Sequence, residues 1–208
     1  RWLLFQDPPK HMPLRKIINA SLNHKLVAKM RNDIAHIAEQ LIDCMKAERQ
    51  SDLVEGFAYP LPAMVIAHLL GVPKKDIHLI KKWSDDIVQF MGEKGGLESA
   101  LNAQNSIIEM SDYLKPLLLG SQSAVSDSDD EVNALLPDLL KYKLEHPEFT
   151  DEDVIANCIL LLFAGHETTT YLITHFWFYI QKYPNQLEIL KNQPDLIPNA
   201  VEETLRFD

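Results

Sequence analysis

The sequence has few cysteines and no long apolar run. Only Cys44 and Cys158 occur among its 208 residues, so the chain cannot hold a disulfide framework, and two thiols alone do not make a zinc site. Its longest apolar stretch, around Ile159–Gly165, is far shorter than the roughly 20 residues that cross a bilayer. The first residues lack an initiator Met and the features of a signal peptide. These absences favour a cytoplasmic protein with no membrane span, and the opening residues are typical of sequence from within a longer protein.

Positive charge is scarce outside the N-terminal quarter. The net charge is -10, and residues 1–50 carry nine Lys and Arg against five Asp and Glu, while the remainder carries eleven against twenty-five. A nucleic-acid footprint needs a clustered positive surface, so this balance argues against nucleic-acid binding. The local basic excess suits an anionic cofactor group or a small acidic partner.

Glycine is also rare, and apolar residues recur at helical spacing along nearly the whole chain. The sequence therefore predicts an all-α protein, in which Leu53–Tyr59 is the one segment that resembles a strand. The predicted helices span Pro13–Leu22, His24–Glu48, Pro60–Leu70, Lys74–Phe90, Leu97–Leu119, Val132–Leu144, Asp151–Lys182, Pro184–Lys191 and Pro198–Arg206. Predicted breaks lie at residues 71–73, 91–96 and 121–131.

The second predicted helix has a clear apolar face. Its members are spaced by three and four residues, and they are Val27, Met30, Ile34, Ile37, Ala38, Leu41 and Met45. Cys44 lies beside this face, so we expect it to be a buried structural thiol.

The predicted helix Asp151–Lys182 is the longest. Thr150 suits its N-cap, and the acidic residues that follow suit the positive end of the helix dipole. About 32 residues at 1.5 Å each would span about 48 Å, so this helix is expected to run through the whole domain. Its first half is apolar nearly all round, as in a helix enclosed by others.

The segment Ala164-Gly165-His166-Glu167-Thr168-Thr169-Thr170 interrupts this apolar helix with residues of poorer helix propensity. A Thr168 hydroxyl inside a helix can bond the carbonyl of Ala164, four residues back. Small residues would let a ligand approach the backbone, while Glu167 and Thr168 offer an acid and a hydroxyl that suit proton delivery. From the spacing alone, a helix kink with an ordinary Ser/Thr-rich face is an equally good interpretation.

A zinc-protease helix is excluded by spacing. That motif needs a second histidine four residues after His166, where this sequence has Thr170. His175 is nine residues on and lies on the opposite side of the helix.

Three ordered segments together resemble the cytochrome P450 family of haem-thiolate monooxygenases, in its soluble bacterial-type branch. Residues 164–169 resemble the signature of the family's long central I helix. Glu203-Thr204-Leu205-Arg206 resembles the Glu-x-x-Arg pair of its K helix, and residues 7–15 resemble the Asp-Pro-Pro-x-His-x-x-x-Arg segment that leads into its C helix. Residues 69–73 resemble a helix-ending segment of the same branch, so the resemblance runs through the whole chain.

The resemblance implies a haem b cofactor and a role for each matching residue. His11 and Arg15 would hold a haem propionate, and Ala164, Gly165, Thr168 and Thr169 would border the oxygen-binding groove. Glu167 and Thr168 would be catalytic, delivering protons for O–O cleavage. Leu160, Leu161 and Phe163 would line the substrate pocket, and Glu203 and Arg206 would be structural.

The family's activity is the insertion of one atom of O2 into a small apolar or amphipathic molecule. The resemblance implies electrons from NAD(P)H through a ferredoxin-type partner, and a monomeric enzyme. The rival interpretation is a non-catalytic helical small-molecule-binding protein or a degenerate remnant of the family.

The family's axial cysteine has no counterpart here. It follows the Glu-x-x-Arg helix in a Gly-rich loop, and neither Cys44 nor Cys158 lies in such a loop. We therefore expect residues 1–208 to be part of a single cytochrome P450 domain, from just before the C helix through the K helix, without the N-terminal segment and the haem-cysteine region. Such a piece would be inactive alone.

Overall fold

The computed structural model describes residues 2–47, 51–92, 96–124 and 135–207. Nine α-helices account for most of these residues, joined by short 3-10 turns and one π-helical segment. Their bounds are α1 His11–Ser21, α2 His24–Ala47, α3 Pro60–Leu69, α4 Ile77–Met91, α5 Leu97–Ala124, α6 Leu135–Glu145, α7 Asp151–Lys182, α8 Pro184–Asn192 and α9 Ile197–Phe207. The all-α prediction is confirmed.

Helix α7 begins and ends where the sequence predicts. The Thr150 hydroxyl accepts a hydrogen bond from the Asp153 amide at 3.3 Å, and the Asp153 carboxylate accepts one from the Thr150 amide at 3.0 Å. This capping box satisfies two amides that the first helical turn leaves without partners. Pro184 begins α8 two residues after α7 ends.

Helix α7 runs through the middle of the molecule. It packs against α3, α5 and α6 over its first half and against α8 and α9 near its end, while α4 packs chiefly on α5. The first half contributes a run of buried side chains, among them Val154, Ile155, Ile159 and Leu162, to the main hydrophobic core. This burial on several sides confirms that the apolar first half of α7 is enclosed by other helices.

The predicted strand at Leu53–Tyr59 is wrong. Residues Val54–Ala58 form a π-helical segment that leads directly into α3. The Asp52 carboxylate accepts hydrogen bonds from the Val54 and Glu55 amides at 2.7 and 3.1 Å, and this local capping favours a helical turn over an extended strand.

Within the described residues, two helix boundaries differ from the prediction by more than two residues. The segment Lys74–Asp76 is a 3-10 turn, and α4 proper starts at Ile77. Helix α5 continues past Gly120 to Ala124, where a break was expected. Three parts of the predicted pattern lie outside the described residues: the rest of that predicted loop, the start of the predicted helix at 132–134, and residues 93–95 of the predicted 91–96 connection.

The apolar face of α2 is narrower than predicted, and Cys44 is not buried. Leu26, Met30 and Ile37 are buried, whereas Val27 is 57% exposed. Cys44 is exposed, because the π-helical segment packs on α2 at Met45, where Gly56 approaches the Met45 side chain. The thiol next to that contact faces solvent.

In the part of the chain that the structure describes, no helix combines the length and hydropathy needed to cross a membrane.

Candidate functional site

The middle of α7 presents an open face of small and hydroxyl-bearing residues. Ala164, Gly165, Thr168 and Thr169 are all exposed, although they follow the most deeply buried part of the helix. The Thr168 hydroxyl donates to the Ala164 carbonyl at 3.0 Å, and the Thr169 hydroxyl donates to the Gly165 carbonyl at 3.3 Å. The predicted bond from Thr168 to Ala164 is therefore confirmed, and the structure brings these four predicted residues together on one surface.

Gly165 is also a packing residue. A Cβ atom placed on it would lie 3.2 Å from Cγ1 and 3.3 Å from Cδ1 of Ile66. Ile66 is buried on α3, the helix that packs closely along α7. The absence of a side chain at Gly165 thus lets α3 and α7 approach each other, a reason that the sequence analysis did not identify.

Glu167 lies half-buried next to the open face. Burial raises the pKa of its carboxyl, and the nearby negative charge of Asp85 raises it further, while the Tyr171 hydroxyl acts in the opposite direction. A carboxyl whose protonated form is favoured can hold a proton at a higher pH than an exposed glutamate can. This environment is consistent with the predicted role in proton delivery.

His166 points away from the open face into the protein. Its side chain is 1% exposed, and its Nδ1 atom lies 2.8 Å from the Leu162 carbonyl. Because a carbonyl only accepts, Nδ1 carries the hydrogen. Its ring packs edge-on against Tyr59, with 5.1 Å between ring centroids, and burial lowers the pKa of the imidazole. His166 is thus a neutral core histidine.

The residues that surround His166 were not predicted from the sequence. Lys81 on α4 places its Nζ atom 4.3 Å from the centroid of the Tyr59 ring and 3.2 Å from the Glu55 carboxylate. Asp85 lies one helical turn after Lys81. Only the spacing of Lys81 and Asp85 on one face of α4 hinted at this cluster, because its members come from distant parts of the sequence.

The predicted propionate ligands lie on α1. His11 begins this helix and is half-buried, and Arg15 is exposed one turn later. Neither side chain forms a hydrogen bond or an ion pair with a described residue. Arg15 also borders an open groove between α1 and α6, near Tyr142 and Glu145. Both side chains are available to donate to a carboxylate, and Arg can do so in a bidentate manner.

The predicted pocket residues occupy the half-buried side of α7. Phe163 and Leu161 pack against the hydrophobic core, and Leu160 is half-buried. The Trp2 ring stacks on Phe163 at 6.2 Å between centroids. The Leu3 amide donates to the buried Asn157 side chain at 2.9 Å. These contacts attach the segment before α1 to α7, and a substrate-lining role for the three residues stays a prediction.

Glu203 and Arg206 form a bidentate ion pair on α9. Arg206 donates from Nε at 2.8 Å and from Nη2 at 2.6 Å to the two carboxylate oxygens of Glu203. The hydrogen bond from Arg206 and its positive charge lower the pKa of the Glu203 carboxyl. Both side chains are exposed, so the pair leaves carboxylate and guanidinium surfaces open to further partners.

The predicted site residues on α1 and α7 fit a haem, although they include no ligand for its iron. Ala164 and Gly165 are small and leave room beside the α7 backbone. Because the Thr168 and Thr169 hydroxyls already donate to carbonyls, an apolar ring could cover this face at little cost in lost hydrogen bonds. His11 and Arg15 supply donors for carboxylates. Cys158 is buried, which raises the pKa of its thiol to about 12, so it suits no thiolate role. Cys44 lies on the exposed side of α2.

Comparison with known proteins shows extensive similarity to one family. The family model described as "Cytochrome P450" matches residues 1–200. The chain is 31% identical over 205 residues to a "Cytochrome P450" of Bacillus subtilis, covering 99% of this chain and 48% of that protein. It is 33% identical over 208 residues to "Cytochrome P450 monooxygenase PikC" of Streptomyces venezuelae, covering 99% and 47%.

Solved structures of the same family match the fold. P450BioI, in complex with a hexadec-9Z-enoic acid ligated acyl carrier protein, superposes with a TM-score of 0.88 at 28% identity, covering 100% of this chain and 52% of that one. CYP109E1 from Bacillus megaterium, in complex with testosterone, gives 0.85 at 33% identity, covering 98% and 52%. The chain spans about half the length of the relatives that it matches.

Proposed function

Because this chain belongs to the cytochrome P450 family, we propose that it forms the oxygen-activating half of a haem-thiolate monooxygenase. A bound haem would supply an iron that binds and activates O2 with the help of an axial thiolate. The observation that carries this proposal is the open face of α7, where the Thr168 hydroxyl is held against the Ala164 carbonyl beside a carboxyl with a raised pKa.

Each residue of the open face has a role in this proposal. Ala164 and Gly165 leave space next to the α7 backbone, so a flat cofactor and a small substrate can both come close. The Thr168 hydroxyl donates to the Ala164 carbonyl and is exposed, so its oxygen can still accept a hydrogen bond on the open face. Glu167 holds a proton and passes it toward Thr168. Thr169 borders the same face.

On α1, His11 and Arg15 would bind a haem propionate. An arginine and an imidazole one turn apart can both donate to the same carboxylate. On α9, the Glu203–Arg206 pair would stabilise the core of the domain. Since neither Cys44 nor Cys158 suits the thiolate, we propose that the axial cysteine lies beyond residues 1–208 in the full-length protein.

The proposed substrate is a small apolar or amphipathic molecule. Leu160, Leu161 and Phe163 offer apolar side chains near the open face. The hexadec-9Z-enoic acid on the carrier protein and the testosterone of the two matched structures are largely apolar. The exposed Lys16, Lys25 and Arg31 near the N-terminus suit an acidic ferredoxin-type partner that passes on electrons from NAD(P)H.

Carbon-monoxide difference spectroscopy on the reduced protein tests this proposal. We expect the full-length protein to show the Soret band of thiolate-ligated haem, and residues 1–208 alone to lack it. A thiolate-type spectrum from residues 1–208 would contradict our placement of the axial ligand. A full-length protein that binds the apolar substrate but no haem would support the rival function of a non-catalytic binding protein.

A further inference from the structure

The short segment before α1 is attached to α7 at two points. The Leu3 amide donates to the Asn157 side chain at 2.9 Å, and the Trp2 ring stacks on Phe163 with 6.2 Å between ring centroids. Trp2 and Leu3 also pack against the main hydrophobic core. Because Asn157 and Phe163 are about 9 Å apart along the helix axis, the segment lies along α7 and does not merely cross it.

Asn157 belongs to the same stripe of α7 as two residues of the open face. Ala164 and Thr168 follow it by seven and eleven residues, and these spacings return to one side of a helix. Asn157 is fully buried, whereas Ala164 and Thr168 are exposed. The stripe is thus covered at Asn157, where Leu3 bonds to it, and open from Ala164 onward. The segment before α1 therefore marks the N-terminal end of the open face.

The Trp2 indole lies at this end of the open face. Its partner Phe163 immediately precedes Ala164, and the two rings stack with an interplanar angle of 26°. The Phe5 ring also stacks on the indole, at 13° and 6.1 Å between centroids. Such aromatic contacts hold a large apolar ring in place. Since Phe163 and Thr168 are about 7.5 Å apart along the helix axis, a ligand beside Thr168 that extends toward the start of α7 soon meets the indole.

Asn157 is suited to holding this segment. Its Oδ1 atom accepts from the Leu3 amide, and its Nδ2 atom donates to the Asp153 carbonyl at 2.7 Å. The second bond fixes the orientation of the side-chain amide, so that the oxygen is directed at Leu3. An apolar side chain in its place would leave the Leu3 amide without this acceptor and would loosen the attachment of the segment.

We propose that Trp2 is a specificity-determining residue, which ends the apolar space along the open face and limits the length of the ligand that fits there. Asn157 is a positioning residue, which acts through Leu3 to keep the indole against Phe163. This inference rests on the proposed monooxygenase function. It narrows the substrate class to apolar molecules whose chain beside α7 stops short of the indole.

The test uses the haem-loaded, full-length protein and 1-alkylimidazoles from 1-methylimidazole to 1-dodecylimidazole. The imidazole binds the haem iron, so the Soret band reports binding without turnover, while the alkyl chain probes the space beside α7. Each methylene that becomes buried should tighten binding about four-fold, until the chain meets the indole and the affinity stops rising.

In Trp2→Ala we expect this length limit to move to longer chains, with about ten-fold or more tighter binding of the longest imidazoles. Trp2→Phe retains an aromatic ring and should shift the limit by less. A limit that stays at the same chain length in Trp2→Ala overturns the proposal.

Trp177→Ala is the matched control. Trp177 is 43% exposed on α7, and it lies on the opposite side of the helix from the stripe of Asn157 and Ala164. Its loss should leave the length limit unchanged. An equal shift in the two tryptophan variants would mean that general loosening of the protein is responsible, and the role of Trp2 would be refuted.

Asn157→Leu tests the positioning role. It should move the length limit in the same direction as Trp2→Ala, and the double variant should move it no further, because Asn157 acts through the indole. A lower Tm with an unchanged limit, or additive shifts in the double variant, would contradict that role. Absence of the thiolate-haem band would overturn the proposed function and this inference with it, whereas an intact band with an unchanged limit overturns this inference alone.

Discussion

Thr168 has a structural hydrogen bond within α7, and in the proposed function its hydroxyl would also take part in the chemistry. Its hydroxyl donates within α7 to the Ala164 carbonyl, with 3.0 Å between the two oxygen atoms, and the hydroxyl oxygen can still accept a hydrogen bond. Removing the hydroxyl leaves the helix backbone bonds in place and therefore has a small structural cost.

For Thr168→Ala in the full-length, haem-loaded protein we expect reducing equivalents to be diverted to hydrogen peroxide. Peroxide formed per NAD(P)H oxidised should rise several-fold while product falls, because in the proposed function proton delivery would lose its last group. Thr174→Ala is the control, since Thr174 makes the same kind of bond to Thr170, at 2.8 Å, away from the open face. Fully coupled product formation in Thr168→Ala would rule out the role.

Glu167 should weaken folding as it ionises. Its pKa is raised in the folded chain, by burial first and then by Asp85, so the unfolded state releases its proton at lower pH. The free energy of unfolding therefore falls as pH rises through the ordinary glutamate range, and it levels off above the raised pKa. Glu167→Gln cannot ionise, so we expect a higher Tm than in the parent at neutral pH and an equal Tm in acid.

Thermal unfolding of the full-length protein across this pH range measures the difference. Glu188→Gln, which removes an exposed carboxylate paired with Lys191, is the control and should not raise Tm. A Glu167→Gln curve parallel to that of the parent would contradict the burial of this carboxyl.

Among the elements, the contact between α3 and α7 depends on the lack of a side chain at Gly165. Alanine in a helix is more favourable than glycine by up to about 1 kcal/mol, but a Cβ here would lie 3.2 Å from Ile66. The two effects oppose each other, so Gly165→Ala should stabilise the protein by less than helix propensity alone indicates.

We therefore predict that the effects of Gly165→Ala and Ile66→Val on the free energy of unfolding are coupled. Ile66→Val removes the Cδ1 atom, which would lie 3.3 Å from a Cβ on residue 165. Urea unfolding of the two single variants and the double variant should show Gly165→Ala to be more favourable in the Ile66→Val background, by about 0.5 to 1 kcal/mol. Additive effects would show that α3 can move away at no cost.

The helices could be predicted well because their signals are local. Thr150 and Asp153 fix the start of α7, and Pro184 lies just beyond its end, so the sequence contains both limits of this helix. The motif at Ala164 to Thr169 could be identified for the same reason, since its residues are consecutive, but its exposure could not be predicted. The cluster around Tyr59 could not be predicted, because Tyr59, Lys81 and His166 meet only after α3, α4 and α7 have packed.

Errors arose where a neighbouring element decides burial. Cys44 has apolar residues around it in the sequence, yet the π-helical segment covers Met45 and leaves the thiol exposed. Leu53–Tyr59 has strand-like composition, yet the Asp52 carboxylate caps a helical turn there.

For the whole molecule, an open apolar groove lies near the C-terminal end of the described residues. A groove of about 520 Å³ is lined by the end of α7 with α8 and α9, including Tyr179, Leu190 and Phe207. Nearby, Leu205 is 57% exposed and Phe207 56% exposed. Apolar surface of this kind normally contacts protein.

We expect isolated residues 1–208 to bind the dye ANS and to self-associate, and the full-length protein to do neither, because the rest of the domain should cover this groove. Dye fluorescence and sedimentation on both forms measure this. The double substitution Leu205→Ser and Phe207→Ser should reduce both signals in the short form. A monomeric short form that binds no dye would contradict this expectation.

The second half of α7 uses its own carbonyls as acceptors for polar side chains. His166, Thr168, Thr169, Thr170 and Thr174 each bond the carbonyl four residues back. These polar side chains therefore satisfy their hydrogen bonds without a partner on another helix. Substitutions in the surrounding helices can then change the shape of the space beside α7 without removing a hydrogen-bond partner from these side chains.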